Sequence, residues 1–297
     1  MFVLQACPSP RCQVDGARDL SSEPNVLRLP SMDVDQVRSK DMAKDKHVHA
    51  NHDSMSHMDH MDMKTVVFFT LNDLKLGKKI TIYFPNKDSS KSPHFLPREE
   101  ANSIPFSYNL LQYLLNYFSF SKGSPQAKAM ENTLRSCEVK PIKGETKVCA
   151  TSLESMLDFV QDVFGLDLQF RVLTTTHLIK SSVLLDNYTI IEEPKEIVAP
   201  ILVACHTMPY PYAVFYCHSQ VSESKVFLVS LVGQSGGRIE VVVVVCHMDT
   251  SQWSRDHVSF CVLGIEPGTS HVCHFFPNDN LVYVPMPTMR ATNAFVM

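Results

Sequence analysis

Four adjacent Cys-His pairs are the residues of this sequence best suited to chemistry. They lie at 205–206, 217–218, 246–247 and 273–274, with 10, 27 and 25 residues between successive pairs. Each pair sits in a strand-like context: ILVACH, YAVFYCH, VVVVVCH and SHVCHFF. Cysteine and histidine are both uncommon, so four such pairs so close together indicate one repeated structural use.

Strand geometry suggests what that use is. Successive side chains of a strand point to opposite faces, so a Cys-His pair can direct sulfur to one face and imidazole to the other. Disulfides can then fix strand register among Cys205, Cys217, Cys246 and Cys273. The imidazoles expected to bind one or two metal ions are those of His206, His218, His247 and His274.

The donor set predicts which metal these histidines prefer. Imidazoles without thiolates suit copper(II) or zinc better than the hard cations that prefer oxygen ligands, and copper is the metal we expect. The alternative is that the four histidines are packed, hydrogen-bonded core residues that hold no metal.

Two helices are predicted from their start signals. Ser124-Pro125 is an N-cap with proline in the first turn, and this helix is expected to end near Cys137. Thr151-x-x-Glu154 is a capping box ahead of a helical apolar pattern that is expected to stop at Gly165.

Short β-branched and aromatic runs dominate the rest of the pattern. Strands are predicted at Lys79–Phe84, Lys225–Val232 and Arg238–Cys246. Val241–Val245 is a run of valines that needs cover on both faces, because an exposed edge of this kind would aggregate. The predicted fold class is α+β, with helices in the N-terminal half and a mainly antiparallel, disulfide-stapled sheet in the C-terminal half.

Composition divides the chain into three parts. Residues 1–64 are polar and are predicted to be a disordered leader, residues 65–287 a folded domain, and residues 288–297 a tail. The leader is rich in His and Met between His47 and Met63, a mixture that could hold copper loosely or be a solvated linker.

Charge and hydropathy exclude several classes of partner. The net charge of −4 and the pI of about 6.3 argue against nucleic-acid binding. No apolar run approaches the roughly 20 residues that cross a bilayer. Met1–Cys12 shows no clear signal peptide, whereas the cysteine content favours an oxidising compartment, so the sequence leaves the compartment open. One reconciliation is that this N-terminus differs from that of a secreted protein.

The Cys-His spacing resembles the signature of the plant BURP-domain family. Further segments agree with that resemblance: Phe68-Phe69, the Cys137/Cys149 pair around KPIKGETK, CATSLESMLDF at 149–159 and YPYAVFYCH at 210–218. The resemblance covers about 65–287. It adds Cys137 and Cys149 to the cysteines expected to be oxidised.

The resemblance implies a chemistry. Some members of the family are copper-dependent cyclases that use dioxygen to join a Tyr or Trp side chain to another position of a core peptide, often one in the same chain. It implies that the four paired histidines are catalytic copper ligands, with His257 as a fifth candidate or else a loop residue bonded to backbone. It also implies a secreted or vacuolar protein whose partner is a peptide or a cell-wall component.

This sequence departs from a self-modifying cyclase in one respect. Residues 1–64 contain no Tyr and no Trp, so self-cyclisation is not expected. Either the chain acts on a separate precursor, or it is a non-enzymatic secreted protein of the cell wall or of stress responses. Cys261 leaves an odd number of cysteines in the domain and is predicted to be a buried free thiol.

Overall fold

The computed structural model describes residues 68–83, 92–166, 168–179, 185–235 and 238–286. The predicted leader at 1–64 and the tail at 288–297 lie outside these residues. Among the residues that are described, no helix is long and apolar enough to span a bilayer.

Helices are concentrated in the N-terminal half, as predicted. They are α1 (Arg98–Ser103), α2 (Leu111–Tyr117), α3 (Pro125–Glu138), α4 (Leu153–Phe164) and, late in the chain, α5 (Val258–Leu263). The start of α3 is confirmed, because the Ser124 hydroxyl accepts a hydrogen bond from the backbone N–H of Ala127 at 3.1 Å.

The N-cap of α4 is one residue later than predicted. Ser152, not Thr151, precedes the helix, and the Ser155 backbone N–H donates to its hydroxyl at 3.1 Å. Ser155 then takes the place expected for Glu154, because its hydroxyl accepts from the Ser152 backbone N–H at 3.2 Å. The helix ends before Gly165, whose φ of 91° a side chain would disfavour.

The strands form two antiparallel sheets. The larger one has eight strands: β1 (Phe68–Phe69), β2 (Lys79–Tyr83), β5 (Thr176–Ile179), β6 (Leu185–Ile190), β7 (Lys195–Ile197), β10 (Ser224–Gly233), β11 (Arg238–His247) and β12 (Val272–Phe276). The smaller one has five: β3 (Glu145–Ala150), β4 (Phe170–Leu173), β8 (Val203–Met208), β9 (Val214–Gln220) and β13 (Leu281–Pro285). The predicted α+β class is confirmed.

The two sheets share an apolar core. Buried side chains of both sheets meet there, including Ala204 and Val282 of the smaller sheet and Val243, Val245 and Phe276 of the larger one. The valine strand is covered on both faces, as predicted. Val242 and Val244 point to the opposite face of this strand, where they belong to a second core on the outer side of the larger sheet.

Candidate metal centre

Two disulfides bridge directly opposed residues of neighbouring strands. Cys205 of β8 pairs with Cys217 of β9, and Cys246 of β11 pairs with Cys273 of β12. The first disulfide packs among the side chains of α4, and the second lies in the core on the outer face of the larger sheet. All four sulfur-bearing side chains therefore point away from the space between the sheets.

The histidine that follows each of these cysteines points the opposite way. His206 and His218 lie on the face of the smaller sheet that carries Ala204, and His247 and His274 lie on the face of the larger sheet that carries Val245. Each of the four histidines is at most 5% exposed. The sheet packing thus brings four buried imidazoles from four strands to one end of the shared core.

The four rings form a closed circuit. Ring centroids are 5.5 Å apart for His206 and His218, 6.4 Å for His218 and His247, 5.6 Å for His247 and His274, and 5.8 Å for His274 and His206. An imidazole nitrogen binds a metal at about 2 Å and the ring centre lies about 1.2 Å beyond it, so two rings that share an ion have centroids at most about 6.4 Å apart. Three sides of the circuit lie within this limit, and the fourth reaches it.

The four rings do not form a coordination sphere as they stand. Among the residues that the structure describes, no three His, Cys, Asp or Glu side chains are already placed to hold a metal ion. The separation of 6.4 Å between His218 and His247 is reached only when the two nitrogens lie on opposite sides of the ion, so an ion shared by all four rings would draw these two together. The assignment of the four histidines as metal ligands therefore stays a prediction.

Polar side chains surround the circuit and contact the Nδ1 atoms. Nδ1 of His206 lies 3.2 Å from Nδ2 of Asn280, and Nδ1 of His247 lies 3.2 Å from Oε1 of Gln220. Nδ1 of His218 lies 3.2 Å from Oε1 of Glu145, although the ring N–H is not aligned with that oxygen as in a straight hydrogen bond. Partners that accept the Nδ1 proton, as the oxygens of Gln220 and Glu145 can, orient metal-bound histidines through the ring nitrogen that does not bind the metal.

Burial keeps three of the four imidazoles neutral. Burial, and after it the charges of the neighbouring histidines, holds the pKa of His206 and that of His247 well below the usual value of 6.5. Burial also lowers the pKa of His274 to about 4. Neutral imidazole is the form that binds a metal, so no proton has to be displaced from these three rings at neutral pH.

Glu145 supplies a negative charge next to these rings. Burial tends to raise the pKa of its carboxyl group, but the contacts with His218, the Ile142 backbone and Lys147 together lower it. The backbone N–H of Ile142 also donates to Oε2 of Glu145 at 3.1 Å. The carboxylate is thus held in place and ionised beside His218.

His257 occupies a different position from the four paired histidines. It is the N-cap of α5, and its Nδ1 accepts a hydrogen bond from the Ser259 backbone N–H at 3.2 Å. The ring is buried against Trp253, at a centroid distance of 4.5 Å, and burial lowers its pKa to about 3. This is the backbone-bonded arrangement that the sequence left open as the alternative to a fifth ligand.

A cavity of about 270 Å³ opens onto the imidazoles. Phe68, Tyr216 and Trp253 provide aromatic walls, and Lys140 and Lys147 provide positive charge. Ligand pockets of drug-sized molecules measure about 300–1,000 Å³, so this cavity has room for a side chain rather than for a whole peptide.

The remaining described cysteines are also oxidised. Cys137 at the end of α3 is joined to Cys149 in β3, so this disulfide anchors the strand that carries Glu145. Cys261 is disulfide-bonded too, and the prediction of a buried free thiol is wrong. The residue lies in the half-buried α5 rather than in a core strand, where a thiol would have been enclosed.

Sequence reasoning missed the groups that surround the histidines. Glu145 falls within KPIKGETK, and its place on the same face of β3 as Lys147 and Cys149 was the only available signal. Gln220 lies two residues after His218 on the same face of the strand, and this spacing could have indicated that Gln220 lies near the histidines. Asn280 follows a turn at 277–279, and nothing in its local sequence points to His206.

The chain is similar to known plant proteins over most of its folded part. The chain matches the BURP domain over residues 67–285. It is 48% identical over 227 residues to the BURP domain protein USPL1 of Arabidopsis thaliana, a match that covers 75% of this chain and 81% of that protein. It is 49% identical to the BURP domain-containing protein BNM2A of Brassica napus (75% and 80%) and 37% identical to the BURP domain protein RD22 of Arabidopsis thaliana (75% and 57%). The chain is therefore a member of the BURP-domain family of plant proteins.

Proposed function

We propose that this BURP-domain protein binds copper and is an oxidative peptide macrocyclase that crosslinks Tyr or Trp side chains of a separate precursor peptide. The observation that carries the proposal is the circuit of four buried imidazoles, from His206, His218, His247 and His274, at the base of an aromatic-walled cavity.

The donor set fits copper. The six cysteines of the three disulfides described above offer no thiolate, so nitrogen donors dominate the site. Neutral, buried imidazoles suit copper(II). Bound copper would supply the one-electron oxidation by dioxygen that amino-acid side chains do not perform alone.

The cavity supplies the binding and orientation of the substrate. Phe68 and Trp253 offer aromatic faces against which a phenol or indole can pack, and Tyr216 forms a further aromatic wall. The size of the cavity admits one aromatic side chain while the rest of the peptide stays outside. The crosslink forms one bond and removes two hydrogen atoms, whose electrons and protons pass to dioxygen.

Trp253 gives a direct test of copper binding in the full chain. It is the only tryptophan of the sequence, and its ring lies 4.9 Å from that of His247. Copper(II) quenches nearby indole fluorescence, so titration should quench the Trp253 emission even though the leader also contains histidines. We expect His247→Ala to weaken this quenching and the exposed His94→Ala to leave it unchanged.

Activity requires a separate assay. The full chain, loaded with copper(II) and supplied with oxygen, should convert a Tyr- or Trp-containing family core peptide into a product lighter by two hydrogen atoms. His218→Ala should abolish this product, and His94→Ala should not. Copper binding without any such product, across the family core peptides, would refute the cyclase while leaving the copper site intact.

A second candidate is a non-enzymatic secreted protein of the cell wall or of stress responses. It is favoured by the hydrogen bonds at Nδ1 of His206 and His257, which are those of packed core histidines, and by the need for ring movement before an ion is shared. Copper stoichiometry that does not change in either His206→Ala or His247→Ala would favour this candidate over the first.

We also propose that the protein is secreted or vacuolar, with a peptide or a cell-wall component as its partner. Three described disulfides support an oxidising compartment, because cytosolic thiols are kept reduced. Fractionation of plant tissue with an antibody to the protein tests this proposal, and recovery only with cytosolic markers would contradict it.

A further inference from the structure

The polar contacts at Nδ1 distinguish His218 and His247 from His206. In a neutral imidazole one ring nitrogen carries the proton and the other has a lone pair. Only the nitrogen with the lone pair can bind a metal, so whatever contacts Nδ1 decides whether Nε2 is a ligand or a hydrogen-bond donor.

Glu145 selects the ligand form of His218. A carboxylate carries no proton to donate, so the 3.2 Å contact of Oε1 with Nδ1 of His218 favours a proton on Nδ1 electrostatically, although the contact is not a straight hydrogen bond. The lone pair then lies on Nε2. The side chain of Glu145 is 7% exposed, so water screens this contact little. Oε1 of Gln220 is likewise an acceptor facing Nδ1 of His247, so it also favours a lone pair on Nε2 of that ring.

Asn280 selects the opposite form of His206. The Thr207 backbone N–H donates to Oδ1 of Asn280 at 3.0 Å, which fixes the orientation of this buried amide. Its Nδ2 therefore faces His206 and donates to Nδ1 at 3.2 Å. An Nδ1 that accepts a hydrogen bond leaves the proton on Nε2, so that nitrogen of His206 is a donor and not a metal ligand in this arrangement.

Because an acceptor contacts Nδ1 of His218 and a donor contacts Nδ1 of His206, we infer different roles for the two rings. Glu145 is a positioning residue that makes His218 a primary copper ligand, and Asn280 holds His206 in the tautomer that carries the proton on Nε2. This inference rests on the proposed copper site. The inference gives different roles to histidines that the Cys-His pattern presents as equivalent. His218, with His247, binds copper first, and His206 offers a hydrogen bond toward the cavity.

Ring tautomers can be measured without any metal. Nitrogen-15 NMR of the metal-free full chain distinguishes protonated Nδ1 from protonated Nε2, and the signals are assigned by their loss in His206→Gln and His218→Gln. We expect the proton on Nδ1 for His218 and on Nε2 for His206. The reverse result at either ring overturns the inference for that residue.

Two substitutions of nearly unchanged shape test the consequence for copper. Glu145→Gln should weaken copper binding, read by Trp253 quenching, by about 10–100-fold, the usual effect of removing a partner of a metal-bound histidine. Asn280→Asp replaces the donor with an acceptor, so it should move the His206 proton to Nδ1 and strengthen copper binding by about tenfold. The control Glu223→Gln removes an exposed charge and should change neither property.

The outcomes separate this inference from the proposed function. Copper binding that is the same in Glu145→Gln and Glu223→Gln overturns the role of Glu145 while leaving the copper site in place. An Asn280→Asp protein that is folded but keeps the His206 proton on Nε2 overturns the role of Asn280. If the unmodified protein binds no copper, the proposed function fails, whereas the NMR result still decides which tautomers the two residues impose.

Discussion

Acidification should destabilise the metal-free protein because its buried histidines resist protonation. The folded pKa values of His257 and His274 are about 3 and about 4, below the value of 6.5 for an exposed histidine. Between these values and pH 6.5 the unfolded chain binds protons that the folded protein does not. The free energy of unfolding is therefore fully retained above about pH 6.5 and falls as the pH falls.

The size of the effect follows from the two shifts. One pKa unit corresponds to about 1.4 kcal/mol, so between pH 6.5 and about 4 His274 and His257 each remove about 3 kcal/mol, and His257 removes about 5 kcal/mol only once the pH is below about 3. His206 and His247 contribute in the same direction. Domains of this kind have about 5–15 kcal/mol of stability, so acidification to about pH 4 should remove a large part of it.

Urea titrations at several pH values measure this loss. Unfolding of the oxidised, metal-free protein is followed by Trp253 fluorescence between pH 7.5 and about 4, and the free energies of unfolding are compared. His274→Gln should lose about 3 kcal/mol less than the unmodified protein over the same range. The exposed His94→Gln should show the unmodified pH dependence.

A free energy of unfolding that stays flat from pH 6.5 to 4 would refute the reasoning. That result would mean that the imidazoles are solvated or already charged in the folded protein. Copper should shift the acid transition, because its binding requires deprotonated ligands and stabilises only the folded state.

Two further predictions concern the scaffold of the site. Phe276 is fully buried, and its ring lies 4.8 Å from that of His206 and 4.9 Å from that of His274. Phe276→Ala should therefore lower the free energy of unfolding by about 3–5 kcal/mol. The control Val198→Ala, at an exposed position, should change it by less than about 0.5 kcal/mol in the same urea titration. Joint replacement of Cys246 and Cys273 by alanine should cost about 3–4 kcal/mol, because the disulfide closes a loop of 27 residues in the unfolded chain; an unchanged urea midpoint would contradict that cost.

Local sequence was sufficient for the features that depend on a few neighbouring residues. Ser124 begins α3 and Gly165 ends α4 because caps and positive φ angles are properties of single turns. Alternation within a strand likewise placed the sulfur and the imidazole of each Cys-His pair on opposite faces. The α4 cap was misplaced by one residue because Thr151 and Ser152 are both suitable cap residues.

The tertiary structure alone decided how these local features combine. Disulfide pairing depends on strand register, which brings Cys246 opposite Cys273 rather than opposite Cys205. The meeting of four histidines depends on the packing of two sheets, which no strand encodes by itself. Asn280 lies 74 positions from His206, and that contact exists only because β8 and β13 are neighbours.

What the sequence by itself determined, therefore, is which side chains can share a face, since the period of a strand is a local property of the backbone. What only the folded chain decided is which faces meet and which polar group contacts each imidazole, since register and sheet packing are set by the burial of apolar surface over the whole domain. The proposed ligand roles of His206 and His218 differ for that reason, although the sequence presents both in the same Cys-His pattern.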